Sequence, residues 1–235
     1  MPKSAQQSEE PQQEQAPTIL YIVRHTDVHN PQDILYGRLP RFRLSTEGLH
    51  QAEVTASVLS EEPVSVFYTS PRLRARQTTR ILAMPHPDVP VHVTRLLDEV
   101  LTAWQGRPHV DLEAHSFNFY ANRLAPSDET LEQVWQRVQR FVRRARKRHP
   151  GEMVVAVTHG DPVMLTRAGY LGMPITIESL RRPNLYVGKG SLTRLTFPAD
   201  LRQTYPLSVE YYDPNSQDGP WSHGWVKLGS EGLKV

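Results

Sequence analysis

Two stretches of the chain are apolar without alternation. Ile19-Leu20-Tyr21-Ile22-Val23 and Met153-Val154-Val155-Ala156-Val157 carry β-branched members and no polar interruption, the pattern of strands covered on both faces. Val64-Ser65-Val66-Phe67-Tyr68 is a third strand candidate, ending at Thr69-Ser70-Pro71. Helical spacing is clearest over 131–148, where Leu131, Val134, Trp135, Val138, Phe141, Val142 and Ala145 form one stripe that His149-Pro150-Gly151 ends. Weaker stripes predict helices over 45–60, with Thr46 placed to cap it, over 72–82, stopped by Pro85 and Pro87, and from Gly160 through about Leu171. Residues 191–197 and 207–211 read as strands that pair antiparallel at an edge. There is no internal repeat. Strands alternating with helices predict an α/β fold, a three-layer α/β/α sandwich with a mostly parallel central sheet.

The ends of the chain differ from its middle. Residues 1–16 are rich in Gln and Glu and almost lack large apolar groups, so they read as a disordered leader. The turn-prone Asp213-Pro214-Asn215 and Asp218-Gly219-Pro220 make 213–235 an extended tail, leaving 17–212 as one domain. A chain of 235 residues can bury a core of its own. With no cysteine, disulfide scaffolds, thiolate zinc sites, iron–sulfur ligation and thiol nucleophiles are excluded. No run approaches the roughly 20 apolar residues that cross a bilayer, and the first residues lack the apolar stretch of a secretion signal, so a cytoplasmic protein without a membrane partner is expected. The formal net charge is only +2. Arg greatly outnumbers Lys, however, and guanidinium is the group that grips phosphate in a planar, bidentate way.

In open α/β sheets ligands sit at the carboxyl ends of the strands. Arg24-His25 leaves the first strand, 70–74 leaves the second and His159-Gly160 leaves the run that ends at Val157. Two histidines and at least two arginines therefore meet at one sheet edge. Such a donor-rich cationic cluster suits a phosphoryl group. Neutral imidazole can itself attack phosphorus and later release it to water, provided an acid protonates the leaving oxygen.

At these residues the chain resembles the histidine phosphatase superfamily, also called the phosphoglycerate mutase-like family. The likeness covers roughly 19–172 and rests on ordered pieces: Leu20-Tyr21-Ile22-Val23-Arg24-His25-Thr26; Asn30, Gly37-Arg38 and the segment 44–52; Tyr68-Thr69-Ser70-Pro71-Arg72-Leu73-Arg74-Ala75-Arg76-Gln77-Thr78; Leu97-Asp98-Glu99 with Trp104-Gln105-Gly106; and 130–134 through Val157-Thr158-His159-Gly160. The resemblance implies a phosphoglycerate mutase-like fold with His25 as the phosphorylated nucleophile. It implies that Arg24 and Arg74 bind the phosphoryl oxygens, Arg74 being the arginine that precedes Ala75 and stands three residues before Gln77. His159 would complete the pocket beside Gly160, Glu99 would act as acid and then base, and Asn30 and Arg38 would be secondary contacts to phosphate or substrate. Two departures stand out: Thr26 occupies a position where glycine is usual, and Val100-Leu101-Thr102-Ala103 lacks the family's small and acidic residues.

Blander readings compete at every position. Either histidine alone could be structural; Arg72, Arg74 and Arg76 cannot all point into one pocket; Glu99 has Asp98 and Glu113 as rivals. His25 and His29 with Asp27 between them, and His159 with Asp161, suggest metal ligands. Ligands four apart need a helix, whereas this stretch leaves a strand and meets Pro31, and the flanking arginines would repel a divalent ion. The seven basic residues from Arg137 to Arg148 invite a nucleic-acid reading, but the apolar stripe leaves most of them on a solvated face. Gly188-Lys189-Gly190-Ser191 lacks the glycine a phosphate loop requires. Tyr36, Phe42, His109, His115, Phe117 and Tyr120 could form an aromatic lid or simply pack.

The expectation is thus a metal- and cofactor-independent phosphomonoesterase of the histidine acid phosphatase type, acting on a small phosphorylated substrate through a phosphohistidine at His25. Phosphoglycerate mutase-type transfer ranks second, because only 107–128 is available to shield the site from water. A non-catalytic module that binds a phosphorylated ligand or nucleic acid ranks third. Neither a physiological substrate nor an oligomeric state is fixed by the sequence.

Overall fold

A computed structural model describes residues 16–182 and 185–229. The leader expected over 1–16 lies, apart from Ala16, outside the described residues, as does the end of the tail. The uninterrupted apolar runs become neighbouring strands. β1 (Thr18–Arg24) pairs in parallel with β4 (Met153–Thr158), which pairs in parallel with β2 (Val64–Thr69), and β2 in turn with the short β3 (Val91–Val93). On its other side β1 meets β5 (Leu192–Phe197) antiparallel, followed by β6 (Ser208–Tyr212) and β7 (Val226–Lys227). The single sheet is mixed, in the order β3-β2-β4-β1-β5-β6-β7, and its parallel half carries the strands expected at the site.

Alternation along the central strands divides the core in two. Leu20, Ile22, Val154 and Ala156 face one layer, which contains Val134, Trp135, Val138 and Phe141 of α4 (Leu131–Arg148) and Val163 and Leu165 of α5 (Gly160–Tyr170). Tyr21, Val23, Val155 and Val157 face the other, with Ala52, Ala56 and Leu59 of α1 (Thr46–Leu59) and Ala75 and Leu82 of α2 (Leu73–Leu82). Two short helices, α3 (His109–Glu113) and α6 (Ile177–Leu180), flank the carboxyl edge. Among the described residues no helix is long and apolar enough to cross a membrane.

Several details differ from expectation. Ser45, not Thr46, caps α1: its backbone is extended and its Oγ accepts the Gly48 N–H at 2.9 Å, whereas Thr46 already lies inside the helix. The 207–211 strand is not at the edge, because part of the expected tail returns as β7 and pairs with it. On α4, Arg137 and Arg146 are buried instead of solvated. Arg146 clamps the turn after β5 through the carbonyls of Pro198, Asp200 and Gln203 at 2.8–3.2 Å.

Candidate active site

The carboxyl ends of three strands are laced together by their own backbone: His25 N–H donates to Thr158 O at 2.9 Å, and Ser70 N–H to Val157 O at 3.0 Å. This lacing brings the side chains that follow β1, β2 and β4 to one place. The rings of His25 and His159 lie 5.1 Å apart, edge to face, and both are sealed from solvent.

Hydrogen bonding fixes how each ring carries its proton. His25 Nδ1–H donates to the Thr26 carbonyl at 2.8 Å, and Nε2 accepts from Arg74 Nε–H at 3.0 Å. Because a carbonyl only accepts and a guanidinium only donates, His25 is neutral with its lone pair on Nε2. By the same reasoning His159 Nδ1 accepts from Arg74 Nη2 at 3.0 Å, while its Nε2–H donates to Ser70 Oγ at 2.7 Å. Burial, and then the positive charges of Arg74 and Arg24, hold His25 well below the ordinary imidazole value; burial and Arg74 do the same to His159.

Arg74 is the hub of the cluster. It is fully buried at the start of α2, and its Nη2 also reaches Gly37 O at 2.9 Å and Glu99 Oε2 at 3.3 Å. Its guanidinium stacks over the Tyr36 ring at 4.6 Å. Arg24 approaches from β1, donating to Val187 O at 2.5 Å, with its guanidinium against Gly160. Arg24 Nε and Arg74 Nη1 are buried and donate to nothing among the described residues.

Glu99 closes the group. Its Oε2 is 3.4 Å from His159 Nδ1, and its Oε1 accepts the Val100 N–H at 2.9 Å. Burial lifts its carboxyl above the usual range; Arg74 opposes the lift and Asp161 adds to it. Asp161, itself raised by burial, accepts a short hydrogen bond from the Tyr120 hydroxyl.

Arg24, His25, Asn30, Glu99 and Gly160 line a cavity of about 780 Å³. Arg74 and His159 do not line it; they contact His25 and Glu99 from behind. Asn30 folds back on its own loop, donating to Ile34 O at 2.9 Å. Arg38, expected as a contact to phosphate or substrate, turns away from the cavity: its Nε donates to Glu99 O at 2.7 Å and its Nη2 to Glu129 Oε2 at 2.9 Å. Of the aromatic candidates, Tyr36, His109, Phe117 and Tyr120 line the cavity. Phe42 packs on Tyr36 and His115 on Trp104.

Thr26 needs no glycine-like backbone, since its φ is not positive. Its hydroxyl lies 3.2 Å from that of Thr78, and its methyl is accommodated by Gly190, where a Cβ would come within 3.0 Å of it.

A metal is poorly served here. His29 is exposed, Asp27 is held by Lys189 and Ser45, and Asp161 by Tyr120. The trio with suitable ligand atoms is instead His25, Glu99 and His159. Each of the three faces an Arg74 N–H at 3.0–3.3 Å, so a guanidinium already serves those ligand atoms.

Residues 20–204 match the sequence profile of the histidine phosphatase superfamily (branch 1). The chain belongs to this superfamily. An uncharacterized protein of Mycobacterium tuberculosis is 32% identical over 195 residues, 78% of this chain and 92% of the relative. The Escherichia coli adenosylcobalamin/alpha-ribazole phosphatase is 26% identical over 163 residues, 66% of this chain and 80% of that protein. Among solved structures, a mycobacterial glucosyl-3-phosphoglycerate phosphatase shares the fold with a TM-score of 0.64 at 24% identity, covering 77% of this chain and 90% of that one.

Behind Glu99, this histidine phosphatase superfamily member has a frame that the sequence motifs do not announce. Glu129 accepts from Arg38 and from Arg137 Nε, each at 2.9 Å, and from the Leu101 N–H at 2.9 Å. Arg137 also donates to Glu99 O at 3.2 Å, and Arg72 is paired with Asp98 at 2.8 Å. The available signal was Arg137, a charge on the edge of the apolar stripe of α4.

Proposed function

We propose that this chain hydrolyses phosphate monoesters through a phosphohistidine at Nε2 of His25, with no metal ion. The observation that carries the reading is the fixed tautomer of His25, whose only lone pair sits on Nε2 against Arg74, in a residue that lines the cavity together with Arg24. When a phosphoryl group arrives, the Arg74 Nε–H moves from that lone pair to a phosphoryl oxygen, joined by donors from Arg24, while His159 holds Arg74 through the bond its Nδ1 accepts. Nε2 attacks phosphorus, the ester P–O bond breaks, and the leaving oxygen takes the proton of Glu99. In the second step the Glu99 carboxylate takes a proton from water, the oxygen attacks phosphorus, and the P–N pair returns to Nε2. The net change is ester plus water to alcohol plus phosphate.

Two further points support hydrolysis over transfer to a second acceptor. The related phosphatases named above differ widely in their leaving groups, and only residues 107–128 are available to cover the cavity before α4. The test is turnover of p-nitrophenyl phosphate and a panel of sugar and nucleotide phosphates, with and without EDTA, beside His25→Ala, together with acid-quench detection of phosphate on histidine. Activity unaffected by chelator and abolished in the variant is the expected result. Dependence on a divalent ion, or turnover retained in His25→Ala, overturns the reading.

A further inference from the structure

A second recess opens on the opposite side of the Glu99 frame, with a volume of about 610 Å³. Its walls come from four separate segments: Arg38 after β1, Arg72 before α2, the turn carrying Arg95, and α4 with Arg137, Arg140 and Arg144. Six guanidinium groups line it against two carboxylates, Asp98 and Glu129. Those two acids are already shared by Arg38, Arg72 and Arg137. The guanidinium groups of Arg95, Arg140 and Arg144 make no hydrogen bond or ion pair among the described residues.

Such concentration of one sign is costly. Arg137, Arg140 and Arg144 follow one another at helical i, i+3 and i+4 steps, where like charges destabilise a helix. A merely solvated face needs no such stacking, nor a basic residue on a separate turn converging on it. We propose that this recess is an anion site, separate from the catalytic cavity, for a compact ligand bearing two or more phosphate groups. Planar guanidinium forks take phosphate oxygens two at a time, and the open ones outnumber what a single phosphate would use. The wall offers no aromatic ring on which a base could stack, which favours a small ligand over a nucleic acid. The proposal stands apart from the chemistry assigned to His25.

The probe is inorganic tripolyphosphate, titrated calorimetrically at about 150 mM salt, where weak surface attraction is screened. The proteins compared are the intact chain, His25→Ala, and the triple variant Arg95→Ser/Arg140→Ser/Arg144→Ser, whose exposed positions leave the core untouched. The expected result is binding that survives in His25→Ala and weakens about tenfold or more in the triple variant, while p-nitrophenyl phosphate turnover without tripolyphosphate is the same in the intact chain and the triple variant. Equal binding by the intact chain and the triple variant places the anion in the catalytic cavity and overturns the proposal, as does no binding by the intact chain. Tighter binding of a single-stranded oligonucleotide through the same three arginines overturns the choice of ligand.

Discussion

Arg74 Nε and His25 Nε2 are 3.0 Å apart with both side chains buried, so the guanidinium proposed to bind the phosphoryl group also holds the lone pair of the proposed nucleophile in place. Lysine cannot copy this, because one ammonium cannot span the acceptors on His25, His159, Glu99 and Gly37 that the fork reaches. Steady-state kinetics of Arg74→Lys should show kcat reduced about 10²–10³-fold.

For Glu99→Gln, the size of the loss should depend on the leaving group. An acid that protonates the departing oxygen contributes about 10²–10⁴-fold, and matters least for an acidic phenol. The kcat ratio of wild type to variant should therefore be larger for an alkyl phosphate than for p-nitrophenyl phosphate. In the wild type, activity should fall as pH rises through the elevated Glu99 value, and this limb should disappear in the variant. Equal losses for both substrates would move the acid elsewhere.

Stability should respond to pH through the two buried imidazoles. Unfolded histidines take up protons near 6.5, while His25 and His159 in the folded chain resist until well below it. The unfolded state then binds more protons, so stability is full above that value and declines as pH falls, by up to about 1.4 kcal/mol per pH unit for each ring. Glu99 and Asp161 pull the other way, since their raised values make the folded chain hold protons longer. Urea unfolding between pH 5 and 8 should show the decline, and His25→Asn should make it shallower.

Gly190→Ala should be destabilising in proportion to what its methyl meets. With φ at +78°, the added Cβ would lie 2.6 Å from Asn215 Nδ2, 2.8 Å from Thr55 Oγ1 and 3.0 Å from Thr26 Cγ2. Backbone strain costs about 1–2 kcal/mol and overpacking about 1–3 kcal/mol. Adding Thr26→Ser should recover only part of this in denaturant titrations, because two of the three close contacts remain.

Glu129→Ala should separate positioning from substrate binding. The change strands the buried Arg137 guanidinium, at a cost of about 3–5 kcal/mol, and frees the backbone that sets Glu99. The measurement is the split between the kinetic constants: kcat should fall with KM nearly unchanged, and Glu129→Gln, which keeps the acceptor to Arg38 and Leu101, should restore part of kcat.

The elements that were legible are those whose pattern is local. Ile19 to Val23 and Met153 to Val157 announce buried strands because no polar residue interrupts them, and the α4 stripe is long enough to give both of its ends. Val91, His92 and Val93 are all exposed, and β7 is a pair of residues, so neither carries a burial period to read. Ser45 and Thr46 offer the same hydroxyl; the cap was decided by Asp27, which accepts both the backbone and the side chain of Ser45. Convergence of the two histidines followed from strand order, but the direction of Arg38 did not. Its partner Glu129 stands 91 residues away, and only the folded chain brings that carboxylate behind Glu99.

β1 lies inside the sheet, bonded along six positions to β4 and along six to β5. Neither flank is open, so its amides can trade hydrogen with solvent only when the whole sheet separates. The imidazole at its tip is thereby mounted on one of the last segments of the molecule to open.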